Sequence, residues 1–242
     1  MIILTIIIYY LIYKFLEISE KRNRKRNKKQ KPKIQQQEVY REVPKSEAEI
    51  IGEYGEDMIA NSLSKVISDG FIVRNVYIPK ANKKGYSEID ILLVHKTGIY
   101  CFECKNYSGG LFGKKNELYW TEYFGKRAKS YKIYNPIKQN FNHIMSLRAI
   151  LPNKFKSNIF SCIVFAQDIR IPYIESDRTL CLFANLKDLY LLKKIISSKS
   201  EIYSHDVLCE LHNYLKPYSH VTEEEIQNHK EQISKRYKNV NN

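Results

Sequence analysis

Glu88-Ile89-Asp90-Ile91-Leu92-Leu93-Val94-His95-Lys96-Thr97-Gly98-Ile99-Tyr100-Cys101-Phe102-Glu103-Cys104-Lys105 contains two apolar runs joined by a short loop, with acids in both and a lysine closing the second. The loop, His95-Lys96-Thr97-Gly98, has the length and the glycine of a hairpin connection. Pairing Val94 with Ile99 sets Asp90 opposite Glu103. Side chains alternate along a strand, so Lys105 joins the two carboxylates on one sheet face, beside Leu92, Val94 and Cys101. A loop of odd length would break this parity. Carboxylates facing each other ~5 Å apart destabilise a sheet unless something cationic lies between them. A divalent metal and a neighbouring ammonium would supply that charge.

Elements on either side of the hairpin read as a mixed α/β domain. Ser46-Glu47-Ala48-Glu49 is a capping-box pattern that starts a helix running to about Ser68. Within it Glu56 lies on the flank of the inward arc defined by Ile59 and Leu63, while Glu53 and Asp57 point further out. Gly52 and Gly55 weaken the helix but let another element come close. Phe71 to Ile78 reads as a strand and residues 80–86 as a basic turn. Gly109, Gly110 and Gly113 mark a tight turn before a strand over 118–123. Asn135-Pro136 opens a helix with the apolar stripe Ile137, Phe141, Ile144, Leu147 and Leu151; Gln139 and His143 share another face. Residues 161–166 and 179–184 read as buried strands. Helices follow over 186–196 and 206–215, and a Thr222 box opens a last one.

Length and charge fit one such domain with an appended segment. The 242 residues carry a net charge of +14; residues 1–33 hold ten Lys/Arg against Glu17 and Glu20, a net +8, leaving +6 for the remainder. Basic character and nineteen tyrosines are compatible with a polyanionic partner. Five cysteines without scaffold spacing point to a reducing compartment. Cys101 and Cys104 face opposite sides of one strand, and no second pair follows at zinc-finger spacing, so a zinc or redox role is not indicated.

Residues 1–18 are dominated by isoleucine, leucine and tyrosine, and as a helix would rise ~27 Å against a hydrocarbon core of ~30 Å, with Lys14 snorkelling to the interface. They lack the basic leader and small-residue cleavage site of a signal peptide, so a transmembrane anchor is expected. The basic run from Lys21 to Lys33 sets the N-terminus outside and the remainder in the cytoplasm, at the cell membrane. Residues 19–45 then form a basic juxtamembrane linker able to touch anionic lipid, 46–220 the folded domain, and 221–242 a C-terminal helix or tail.

Taken together, the residues resemble the nuclease-related domain (NERD), a branch of the PD-(D/E)xK nuclease superfamily. Gly52-Glu53-Tyr54-Gly55-Glu56 is similar to its first-helix signature, Glu88-Ile89-Asp90 to its acidic strand, Phe102-Glu103-Cys104-Lys105-Asn106-Tyr107 to its E-x-K strand, and Asn135-Pro136 with Gln139 and His143 to its following helix. These motifs fall within 46–150. Ile89 stands where the superfamily's name motif has proline, as is usual in this branch. The resemblance implies a restriction-endonuclease-like fold, a mixed central sheet flanked by helices, here preceded by the transmembrane helix.

It also implies a metal-dependent phosphodiesterase acting on DNA rather than RNA. Asp90, Glu103 and the Cys104 carbonyl would ligate Mg²⁺, with Mn²⁺ as the alternative, since hard cations prefer oxygen. Glu56 would complete or orient that shell. Lys105 would position water or stabilise phosphate charge, and Gln139 would orient substrate or lysine. Lys132 and Lys138 are candidate phosphate contacts. His143 is expected to be structural. A non-catalytic module binding nucleic acid or anionic membrane is the alternative; a structural membrane protein is the least economical reading, because opposed carboxylates without metal are costly.

Overall fold

The computed structural model describes residues 46–107, 109–123, 130–170, 180–183 and 185–219, together with 222 and 226. The expected anchor and linker, and nearly all of the C-terminal segment, lie outside the described residues. Among the described residues no helix is long and apolar enough to cross a membrane.

Helix α1 (Glu47–Val66) begins at the expected capping box: the Glu49 amide donates to Ser46 Oγ at 3.3 Å, and the Ser46 amide donates back to the Glu49 carboxylate at 2.8 Å. It buries Gly55, Ile59, Ala60 and Leu63. Three antiparallel strands follow, β1 (Gly70–Pro79), β2 (Tyr86–His95) and β3 (Gly98–Lys105). Val94 pairs with Ile99, the register read from the sequence, and His95 pairs with Gly98 across a two-residue loop. Gly98 takes a φ of 145°, and a Cβ there would lie 2.7 Å from the Phe160 ring, so the turn requires glycine twice over.

A small antiparallel sheet then interrupts the main one: β4 (Gly110–Phe112), β5 (Tyr119–Tyr123) and β6 (Ser130–Tyr134). The glycine-rich stretch expected to be only a turn therefore contains a short strand. Helix α2 (Pro136–Ile150) is capped by Asn135, whose Oδ1 accepts from the Ile137 amide at 2.9 Å. The same side chain donates to the carbonyls of Lys114, Lys115 and Glu117, tying the β4–β5 connection to the helix start. Strands β7 (Ile159–Phe165) and β8 (Leu180–Phe183) add in parallel beyond β3, giving the order β1-β2-β3-β7-β8. Helices α3 (Tyr190–Ser197) and α4 (His205–Leu215) complete the chain order.

Helices cover both sides of this mixed sheet. Leu92, Val94, Ile99 and Cys101 belong to a core with Ile144 and Leu147 of α2 and Leu208, Leu211 and Leu215 of α4. Ile91, Leu93, Tyr100 and Phe102 belong to another with Ile59 and Leu63 of α1 and Leu192 and Ile196 of α3. Each such fully buried aliphatic contributes ~1.5–3 kcal/mol over its exposed state. Because β3 is the central strand, any charge on it is deeply enclosed. The α2 stripe differs from its sequence reading at one position: Phe141 is 57% exposed, whereas Asn140, His143 and Ser146 are buried. Polar side chains take the inward arc because the strands beneath offer them partners.

Candidate active site

β2 and β3 part company at the acids. The ladder closes at Ile91↔Phe102, and Asp90 lies one step further, where its carboxylate rather than its backbone reaches across: Oδ2 accepts from the Cys104 amide at 2.7 Å. Side-chain alternation also slips here. Ile89 shares a core with Leu92 and Val94 despite opposite parity, and on the neighbouring strand Val76 does so with Val73. Asn75 between them takes a left-handed φ of 50°, which lets β1 follow the slip. Asp90 thus sits at a fork, half-buried, with its charge on the edge of the layer.

Glu103 is 1% exposed. Lys105 Nζ lies 2.5 Å from its Oε1 and His143 Nε2 lies 3.0 Å from its Oε2, so each carboxylate oxygen faces one nitrogen. Burial pushes this carboxyl up, yet Lys105 and His143 outweigh it and hold the group below the usual carboxylate range. Burial works against the Lys105 ammonium in the same way; Glu103, Tyr107 and Asp90 overcome it and keep the amine firmly charged.

The remaining acids behave oppositely. Burial first, then the fields of Glu103 and Glu56, push Asp90 well above its ordinary value despite Lys105 and the Cys104 amide. Glu56, half-buried on α1, is raised to about 7 by burial and by Glu88, against the opposing pull of Lys105 and Arg74. Glu88 accepts from the Tyr77 hydroxyl at 2.5 Å. An excess of negative charge is therefore packed where the fork opens.

Two asparagines bring helices to this place. Asn106, directly after Lys105, donates to the Ile51 carbonyl at 2.7 Å, and a Cβ on Gly55 would lie 2.6 Å from its own Cβ. Gly55 is thus what allows α1 to dock on the end of β3 and carry Glu56 to the acids. Gly52 has nothing within 4 Å and serves no such approach. Asn140 donates to the Cys101 carbonyl at 2.8 Å and Ser161 Oγ at 2.9 Å, fixing α2 against β3 and β7. One turn on, His143 bridges Ser87, 2.6 Å from its Nδ1, to Glu103.

Asp90, Glu103, Lys105 and Glu56 are accordingly within one another's field. Cys104 turns its thiol into the α1-side core and contributes its backbone here. Gln139 is half-buried on α2, and its side chain makes no hydrogen bond among the described residues. Lys138 is half-buried on the same helix, while Lys132 lies on the small sheet with Nζ 3.1 Å from Thr121 Oγ1. Asn140 and Tyr77 are the partners that sequence reasoning missed; His143, expected to be structural, is the buried link between Ser87 and Glu103.

Residues 51–166 match the family model of the nuclease-related domain. The chain carries a nuclease-related domain. An uncharacterised protein of Bacillus anthracis is 26% identical over 100 residues, 41% of this chain and 46% of the relative. The match therefore spans about half the relative's length. No solved structure matches. Every described site residue discussed above falls inside the nuclease-related domain. Among the described residues no group of three or more His, Cys, Asp or Glu side chains is already arranged around a common ion position. The donor chemistry nevertheless suits a hard divalent cation: Asp90 and Glu103 offer oxygen only, and each lies one step beyond the last residues paired between β2 and β3.

Proposed function

We propose that this protein is a metal-dependent nuclease that hydrolyses phosphodiester bonds in DNA. The observation that carries the reading is the fork itself: Asp90 held by the Cys104 amide, and Glu103 between Lys105 and His143. Asp90 and Glu103 would hold Mg²⁺, with the Cys104 carbonyl as a further oxygen donor and Mn²⁺ as the alternative ion. When bound, such an ion supplies Lewis-acid polarisation of the phosphate and a more acidic water.

The chain's own groups divide the remaining work. Lys105 stays protonated, so it suits a donor to a phosphate oxygen and not a proton acceptor. Glu56, titrating near neutrality, suits the acceptor of a proton from water. His143 and Ser87 position Glu103. Gln139 is free to turn toward substrate. Residues 1–18 and the basic run after them support a membrane tether, with the domain on the cytoplasmic side and the linker against anionic lipid.

The Lys105 contact on Glu103 favours a second reading, since it neutralises that carboxylate without metal: a module that holds nucleic acid or anionic membrane and cuts nothing. One experiment separates them. The purified chain is incubated with plasmid and with single-stranded DNA, with Mg²⁺ or with chelator. Metal-dependent cutting that falls by ~10²-fold or more in Asp90→Asn and Glu103→Gln, with melting curves intact, is the expected result. Binding without cutting at any metal concentration sinks the nuclease reading.

A further inference from the structure

The small sheet has one packed face and one open face. Leu111, Trp120 and Ile133 point inward onto Ile137, Ile163, Phe165 and Ile169. By the same alternation Phe112, Tyr119, Thr121, Tyr123, Ser130, Lys132 and Tyr134 point outward, in rows fixed by the pairs Phe112↔Thr121↔Lys132, Tyr123↔Ser130 and Tyr119↔Tyr134. Open sheet faces are ordinarily polar. Here four of seven outward side chains are aromatic, Phe112 is 69% exposed, and the single charge is a lysine. The acid of the central strand, Glu122, lies on the inward face and is buried.

The rings are held, not loose. A Cβ on Gly110 would fall 2.1 Å from Tyr123 Cζ, so the missing side chain lets that ring lie across the neighbouring strand. Tyr119 and Tyr134 meet edge to face at 6.1 Å, and the Tyr134 hydroxyl accepts from Asn142 Nδ2 at 3.2 Å. Same-face neighbours on a strand are ~7 Å apart. The platform adjoins the fork: four residues separate Lys105 from Gly110, five Cα steps with a reach of at most ~18 Å, and β6 runs through Asn135 into the helix that carries His143.

We propose that this outward face is a stacking platform for unpaired bases, so that the ligand of the domain is single-stranded nucleic acid. Every base has a π face that an exposed ring can take regardless of sequence, and Lys132 faces the backbone phosphates. Between Gly110 and Asn140 the sequence has seven Lys/Arg and two glutamates, the charge balance that a polyanion requires. A membrane occupant fits less well, because a face with three tyrosines and one lysine offers few basic groups to anionic headgroups. The proposal rests on the reading of the fork as a nucleic-acid site for its consequence in cutting, while binding is measured without it.

The test uses the full chain in chelator, with fluorescence anisotropy on a labelled oligothymidylate and on a duplex of equal length. Phe112→Ala and Tyr123→Ala should each weaken single-strand binding about 5- to 100-fold. Phe112→Tyr and Tyr123→Phe should stay within about 3-fold of the parent, which separates stacking from folding. Duplex affinity should change by less than about 3-fold in all four. Binding is read in chelator whether or not the chain cuts, so a chain that never cuts can still bear out the platform. Unchanged single-strand binding in the alanine variants overturns the proposal. So does an equal loss on duplex, or ring-dependent sedimentation with anionic vesicles in place of oligonucleotide binding.

Discussion

Glu56 and Glu103 are two glutamates in one site pushed in opposite directions, and stability against pH should read that difference. Glu56 is raised in the fold from 4.5 to about 7. Its favourable contribution is thus complete below the unfolded value and is lost as pH rises through about 7. In chelator, Glu56→Gln should therefore match the parent near pH 4 and exceed it near pH 8 by ~1–2 kcal/mol after allowance for solvent screening. Urea midpoints at the two pH values check it; a variant less stable at pH 8 contradicts the picture. Glu103 runs the other way. Its pKa is depressed, so its stabilisation is present above the ordinary carboxylate value and is lost as pH falls through the folded one. Lys105→Ala leaves a buried anion short of its closest partner and should cost ~3–5 kcal/mol at neutral pH. Glu103→Gln with Lys105→Met should cost far less than the sum of the single changes, and this coupling should fade on acidification. An additive double-mutant cycle at pH 7 would remove the pair from any account of the site.

At the level of elements, the two glycines of the first-helix signature are separable. Gly55→Ala puts a Cβ 2.6 Å from that of Asn106, so α1 must lift from the end of β3. Overpacking of that kind costs ~1–3 kcal/mol and outweighs the ~1 kcal/mol gained in helix propensity. Gly52→Ala meets nothing within 4 Å and should be stabilising by ~0.5–1 kcal/mol. Thermal melts of the two variants give opposite signs if Gly55 is the docking point; equal signs reject it. The sequence could not distinguish these glycines, because the answer depends on Asn106, 51 positions beyond Gly55 in the chain. What was legible came from local rules. The capping box, the Asn135 cap and the Val94↔Ile99 register all follow from neighbouring residues. The parity argument for Asp90 was legible only as far as Ile91; the slip across Asn75 is a property of two strands jointly and leaves no periodic trace. Phe141 was misread for a related reason. A stripe drawn from hydrophobicity assumes an apolar floor, and β3 supplies a carboxylate and a carbonyl instead.

For the molecule as a whole, the unequal charge distribution separates where the chain resides from what its domain does. Residues 1–33 carry +8 next to an apolar stretch, and the compact unit that holds the nuclease-related domain begins at Lys45. Each basic residue near an anionic surface adds ~1 kcal/mol of attraction, and the predominantly apolar residues 1–18 add far more if inserted. Deleting residues 1–45 should therefore abolish sedimentation with anionic vesicles and detergent-dependent extraction. Turnover on a short oligonucleotide in solution should stay within about 3-fold, because none of the groups at the fork lies in the deleted part. Raising salt should weaken oligonucleotide binding by the full chain more steeply than by the truncated chain, since the lost lysines and arginines no longer displace counterions. Equal salt slopes would mean that the basic run never meets nucleic acid and is given over to lipid. A truncated chain that still sediments with vesicles would move the membrane contact onto the folded domain and leave the N-terminal segment without the anchoring role its composition suggests.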